Sequence, residues 1–290
     1  MEKAKIKEEA EAKNRAAFSM LELVFVIVIL GIVASIGAEI IAQVYESYVL
    51  QRASQRSSVK TELAATQIAN RLAYAIPGTV IGRNGANFKS IDDLNNPNYT
   101  ILQWIAYDAD SLGANRVPGW SGFADMDASS ELALKTPGSN LETTHTIIQS
   151  LGGAGLTDAA VLFPNTYTVN TIGYGANSSE ITSVTVGAGE NLTVDMTGKT
   201  IKEHYKLAWS SYAIVPTANA NGTFDLNLHY NFQPWNGSGY ATAPSEVLLR
   251  NVSVFKFTGS ANTIRFKICQ QENIGEAFNI TTCKEKAVIR

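Results

Sequence analysis

Phe18–Val44, FSMLELVFVIVILGIVASIGAEIIAQV, is the stretch whose reading decides the fold. Leu23–Val33 is unbroken apolar sequence, and the whole stretch carries two charges, Glu22 and Glu39. A hydrocarbon layer of ~30 Å is crossed by roughly 20 apolar residues in a helix, so this stretch is long enough to span a bilayer. A carboxylate at the centre of such a span costs ~2.5–3.5 kcal/mol, less toward the interface, and a retained one usually marks a function. The plainer alternative is a signal anchor whose Glu22 sits among headgroups.

Working outward, Lys13 and Arg15 lie just ahead of the apolar run. By the positive-inside rule they keep the N-terminus cytoplasmic and deliver the rest of the chain outside. The apolar run is too long for the core of a cleaved secretory signal. Ala34-Ser35-Ile36-Gly37-Ala38 is the nearest imitation of a signal-peptidase site, and cleavage there would release a soluble periplasmic protein. On the other side, Ala38–Ala75 has only Gly37 just before it, no proline or glycine within it, and many Ala, Gln, Glu and Arg. That composition favours one continuing helix. Ile41, Val44, Tyr48, Val59, Leu63, Ile68, Leu72 and Ile76 recur at three to five residues and predict one buried stripe. Pro77-Gly78 should end the helix, which from Phe18 to Ile76 would measure about 90 Å at 1.5 Å per residue.

The junction Arg15-Ala16-Ala17-Phe18-Ser19-Met20-Leu21-Glu22-Leu23 closely resembles the cleavage and methylation site of type IV prepilins. The resemblance implies a cut between Ala17 and Phe18 by a membrane aspartic peptidase, the prepilin peptidase. It also implies N-methylation of Phe18 and an assembly role for Glu22, the fifth mature residue. Alanine at 17 departs from the more usual glycine but is still small. A buried carboxylate needs a cation or donor; the family supplies the N-terminal amine of the same or a neighbouring subunit, so Glu22 would pin register as a buried polar residue does in a coiled coil. Glu39 stands where many type IV pilins have a proline, which points to the minor pilins and large pseudopilins. The partners implied are other pilin or pseudopilin subunits, prepilin peptidase, an inner-membrane assembly platform and the lipid bilayer.

With 290 residues, 45% hydrophobic and 17% charged, there is room for one membrane helix and one substantial globular domain. The net charge is −3; in Met1–Ala17 five cations face four carboxylates, leaving −4 for the remainder. Bulk charge gives no reason to expect nucleic acid as a partner. After Pro77 strand-like runs alternate with Gly, Asn, Ser and Pro clusters. Candidate strands are Ile101–Tyr107, Ala160–Phe163, Ile181–Val186, Leu207–Val215, Phe224–Phe232, Val247–Phe257 and Ile264–Cys269. Phe224–Phe232 alternates apolar and polar throughout, as a strand with one wet face should. Asn84–Gly155 reads as a large insertion or elaborated loop, with helix-like pieces at Ser129–Lys135 and Thr144–Leu151.

Cys269 and Cys283 are the only cysteines. In an exported domain they should pair, closing a loop of about 15 residues worth roughly 3 kcal/mol by the chain-entropy argument. This resembles the disulfide-bounded C-terminal loop of many type IV pilins. The rivals are a metal or redox pair, although the spacing is not C-x-x-C and no histidine lies between. His145, His204 and His229 are scattered, and His229 is expected to be a solvated side chain on a strand's polar face. No triad, P-loop, paired His or paired-carboxylate motif argues for an enzyme, and no cofactor is implied. Asp108-x-Asp110 and Asp125-x-Asp127 have calcium-ligand spacing without the glycine and distal glutamate of an EF-hand; no metal site is assigned. Trp104, Trp120, Trp209 and Trp235 could be core anchors or a stacking surface.

The expected fold is α+β: a long N-terminal transmembrane and amphipathic helix, its outer half packed on a mostly antiparallel sheet. The expected organisation is a cleaved cytoplasmic leader over 1–17, a transmembrane or filament-core helix over 18–44, an amphipathic outer half over 45–76, and a β-rich head with the disulfide over 77–290. The resemblance implies a structural subunit of a type IV pilus or a pilus-like filament of type II secretion or competence. It would sit in the inner membrane as a single pass with its head in the periplasm, and then in a filament. Outside the family, the alternative is a single-pass, membrane-anchored periplasmic binding protein.

Overall fold

The computed structural model describes residues 19–94, 96–113, 116–260, 262–274 and 278–289. Its first element is a helix, α1, over Met20–Leu72. The chain divides into two units at Ala53 and Ser54. In the described part of the first unit no residue is buried, and large apolar side chains such as Phe25, Leu30 and Ile41 are more than half exposed. This helix is long and apolar enough to cross a membrane.

The second unit contains an eight-stranded antiparallel sheet in the order β13-β12-β11-β10-β9-β3-β1-β2. Its strands are β1 (Ile81–Asn84), β2 (Asn87–Ser90), β3 (Ile101–Ala106), β9 (Ser210–Ala218), β10 (Phe224–Phe232), β11 (Ser245–Ser260), β12 (Thr263–Ile274) and β13 (Phe278–Ile289). A second antiparallel sheet runs β4-β7-β6-β5-β8, from β4 (Ala133–Lys135), β5 (Ala160–Leu162), β6 (Thr182–Ala188), β7 (Asn191–Val194) and β8 (Lys206–Ala208). Two short helices, α2 (Ala109–Leu112) and α3 (Leu141–Ser150), accompany it. The α+β architecture with a long apolar N-terminal helix and an antiparallel head is the one the sequence implies.

Within the second unit, the helix buries Ser57, Thr61, Ala64, Ala65, Ile68 and Leu72. They pack with Leu102, Trp104, Ile214, Leu226, Val252, Phe255, Phe266 and Ile268 of the large sheet. This corrects the expected stripe, because Val59 and Leu63 are 61% and 58% exposed. Side chains three or four apart share a helix face, and 57, 61, 64, 68 and 72 form that row while 59 and 63 lie off it. Small residues on the inner row let the helix sit close to the strands, and its outer turns meet β12 and β13 through polar contacts. Ser57 and Thr61 hydroxyls donate to Gln270 Oε1 at 3.2 and 3.3 Å. Lys60 pairs with Glu272 at 3.7 Å, and Glu62 pairs with Lys284 and Lys286.

The helix opens at Leu72 rather than at Ile76. Ala75 bridges Ala106, and the Ile76 N–H donates to Ile105 O at 2.9 Å, so the residues before Pro77 are extended and join the sheet. A residue preceding proline is biased to that conformation. Two further expectations are overturned. Ser129–Lys135 forms a Ser130–Ala133 bridge and strand β4 instead of a helix. Asn84–Gly155 is more than a loop insertion: besides β3 and α3, which answer to the expected strand at Ile101–Tyr107 and the helical piece at Thr144–Leu151, it supplies β2 to the large sheet and β4 to the small one. β10 occupies the expected bounds, yet its register shifts between His229 and Phe232, where Asn231 has φ 55°.

Candidate functional site

The described chain begins one residue before α1, at Ser19. The Glu22 N–H donates to Ser19 Oγ at 3.2 Å, and the Leu23 N–H donates to Ser19 O at 3.1 Å. Ser19-Met20-Leu21-Glu22 thus starts the helix in the manner of a capping box, with serine satisfying an orphan N–H and glutamate three residues on. Glu22 is exposed, in the first turn, where a carboxylate is favoured by the positive end of the helix dipole. This capping role was legible in the S-x-x-E spacing and missed there. Ala17 and Phe18, the expected cleavage and methylation residues, lie outside the described residues.

Cys269 and Cys283 are joined by a disulfide, with Cα atoms 4.0 Å apart. They are direct partners across β12 and β13, between the neighbouring pairs Ile268–Lys284 and Gln270–Thr282. The bond therefore staples two strands of a regular ladder. Between the cysteines the described residues 270–274 and 278–282 continue the two strands, so this part of the segment is paired strand rather than irregular loop.

Residues 12–38 match the family described as the prokaryotic N-terminal methylation motif. The chain has a prepilin-type N-terminus. That match supports the type IV pilin and pseudopilin family, and the matched segment runs directly into the helix start that Ser19 caps. No curated protein and no solved structure matches the chain.

The remaining candidate residues are dispersed. Asp108 caps α2, its Oδ1 accepting from the Ser111 N–H at 3.2 Å, and it is almost fully buried. Burial holds its carboxyl above the usual range, against the bond from Ser111. Asp125 Oδ1 accepts from the Asp127 and Ala128 N–H groups, both at 3.1 Å, in a local turn. Among the described residues no group of three or more His, Cys, Asp or Glu side chains is arranged to hold a metal ion. His145 Nδ1 accepts from the Leu156 N–H at 3.3 Å and lies over Gly155, whose φ of 99° and lack of a Cβ make room for the ring. His229 is not simply solvated: it is half-buried, edge-on to Tyr240 at 5.9 Å, and desolvation lowers its pKa. His204 meets Phe123 at 5.8 Å. The four tryptophans are all buried, at most 6% exposed, so they anchor cores and form no stacking platform. Trp120 donates to Asp108 O and Trp235 to Asp158 O.

Proposed function

We propose that the chain is a structural subunit of a type IV pilus or a pilus-like filament of the type II secretion or competence kind. In this reading prepilin peptidase cuts between Ala17 and Phe18, and Phe18 is then N-methylated. The chain waits as a single pass in the inner membrane, its head periplasmic, before an assembly platform moves it into a filament. The observation that supports the reading is the methylation motif over 12–38, leading into a helix whose apolar side chains from Met20 to Val44 are exposed among the described residues. Exposed apolar surface on that scale needs lipid or other subunits. The capped start also gives Glu22 a physical role in assembly. A new amine at Phe18 would sit at the positive end of the helix dipole, where a cation is disfavoured. Glu22, one turn on, offsets it in the same subunit or pairs with the amine of a neighbour. The size of the head and Glu39 in place of proline favour the minor pilin or large pseudopilin subgroup.

The test is the mass of the N-terminal peptide of protein recovered from membranes. The expected species begins at methylated Phe18. A peptide retaining Met1–Ala17 would reduce the chain to a signal anchor, and one beginning near Ala38 would make it a released protein; either sinks the filament reading.

A further inference from the structure

The β11–β12 hairpin carries an ordered set of polar groups on the face turned away from the core. On β12, Ile264, Phe266 and Ile268 are buried in the core behind the sheet, so the intervening Arg265 and Lys267 face the opposite way and are exposed. Direct cross-strand partners lie on the same face of a sheet. Three successive rungs on this outer face are Ser260–Thr263, Thr258–Arg265 and Lys256–Lys267. The first two rungs, with Gly259, line a hollow of about 330 Å³. On the next strand Glu285 is the partner of Lys267, and the Cys269–Cys283 disulfide closes the following rung.

Lys256 and Lys267 stand directly opposite each other, an arrangement that repels. Lys256 Nζ donates to Pro97 O at 3.4 Å. Among the described residues Arg265 and Lys267 make no ion pair, although Glu285 lies across from Lys267. Among the cross-strand partners of these rungs three cations stand against one carboxylate, beside three hydroxyls able to donate, while the Asp92 carboxylate lies on the Cβ side of Gly259, toward buried Ile91. A planar guanidinium fork, ammonium groups and hydroxyls together match the oxygens of a tetrahedral dianion. The lining is mixed polar and apolar, and a cation would be repelled by the excess positive charge.

We propose that the outer face of the β11–β12 hairpin binds a phosphate- or sulfate-class oxyanion, with Arg265 and Lys267 as its principal ligands and Lys256, Thr258, Ser260 and Thr263 around them. The site is independent of the filament reading, because it uses no residue of the N-terminal helix.

The full chain in non-ionic detergent is titrated calorimetrically at low salt with inorganic phosphate, inorganic sulfate and glucose 6-phosphate. Saturable binding of phosphate or sulfate is expected, weakened about tenfold or more in the Arg265→Ala, Lys267→Ala double variant, because charge-assisted bonds are lost. Glu285→Gln, which removes the competing carboxylate, should tighten binding about threefold, as relief of a partly screened charge does. Lys202→Ala, which removes one positive charge elsewhere, should change nothing. Tighter binding of the sugar phosphate than of the free ion would place the oxyanion on a larger ligand, and equal binding would make the ion itself the ligand; both support the site. Absence of saturable phosphate or sulfate binding overturns it. So does equal affinity in the double variant and the parent, or an equal loss in Lys202→Ala.

Discussion

The two sheets of the second unit are stabilised by different chemistry. The large sheet packs aliphatic and aromatic side chains against the helix: Ile68, Leu72, Leu102, Trp104, Ile214, Leu226 and Phe266 are essentially inaccessible. Its far strands are joined by a covalent bond. The small sheet surrounds rings and hydroxyls. Trp120 and Tyr205 lie 5.7 Å apart, and Thr136 Oγ1 is hydrogen-bonded to Tyr205 Oη, Ser139 Oγ and Ser121 Oγ at 2.7, 2.8 and 3.1 Å. Beside it, Asp108 Oδ2, Ser111 Oγ and Thr144 Oγ1 are buried without a hydrogen-bond partner among the described residues. Gly119 is the close approach that keeps this cluster tight, since a Cβ there would fall 2.4 Å from Thr144 Oγ1. Apolar burial is insensitive to pH, whereas buried polar groups are satisfied only in particular protonation states. The small sheet is therefore a place where pH should act, as are His229 and Tyr212 of the large sheet, whose pKa values burial lowers and raises.

The largest expected effect breaks the large sheet. Leu72→Ala removes a fully buried side chain from the helix–sheet core and should cost about 2–5 kcal/mol in denaturant unfolding. The same truncation at exposed Ile32 should leave the unfolding midpoint of the head in place. Equal losses at both positions would mean that the apolar surface of the first unit is covered within the chain after all.

Next comes the disulfide. Replacing both Cys269 and Cys283 by serine should lower stability by about 3 kcal/mol on loop-closure entropy. Hydrogen exchange should show the loss concentrated in β12 and β13, with β4–β8 protected as before. Faster exchange spread evenly through both sheets would show that the two behave as one cooperative block, and the contrast between them would fail.

How far each sheet could be read from sequence follows the same division. Phe224–Phe232 alternates because one face meets the helix and the other water, so periodicity finds it. β5 and β8 are met by the apolar runs Ala160–Phe163 and Leu207–Val215, the second read as one strand with β9, whereas β4 and β7, of three and four residues, are too short for any period to register among Asn-, Gly- and Ser-rich sequence that reads as loop. β13 was missed for another reason. In FNITTCKEKAVI, Lys284 and Lys286 sit at positions a buried face would fill with apolar residues, but both reach Glu62 on the helix. The helix stripe failed likewise, because Ser57 and Thr61 are buried through Gln270, a partner more than 200 residues away that local pattern cannot reveal. The methylation motif over residues 12–38 was legible because its information is local: a small residue, an aromatic one, and a glutamate four further on, ahead of an apolar run.

Tyr205 sharpens the contrast at alkaline pH. Burial is the main cause of its phenol being pushed up to about 12, with the bond to Thr136 opposing. The folded state thus holds the proton that the unfolded chain gives up near 10. Its contribution is complete below pH 10 and is lost as pH rises toward 12. Tyr205→Phe should cost about 1–3 kcal/mol at pH 7, because Thr136 loses a buried partner, while its stability falls less steeply above pH 10. Urea midpoints at pH 7 and pH 11 measure both, and parallel losses at the two would exclude the phenol as the titrating group.

Asp108 gives the smallest expected effect and the finest distinction. Burial raises its folded pKa above the unfolded value of 3.8, the reverse of a salt-bridged carboxylate. Any contribution from this shift is complete below the unfolded value and fades as pH rises through the folded one, because the folded state then holds an ion that would be better solvated outside. Asp108→Asn keeps an oxygen to accept from the Ser111 N–H, and asparagine caps helices as well as aspartate does. It also places an N–H₂ donor at the Oδ2 position, which, like the Ser111 and Thr144 hydroxyls, is buried without a partner among the described residues. The variant should match or exceed the parent at pH 7, by on the order of 1 kcal/mol, and lose that advantage near pH 4. Urea unfolding at the two pH values decides it. If the difference between variant and parent is the same at both, the buried carboxyl does not change protonation over that range, and the small sheet owes its distinct character to hydroxyls and rings alone.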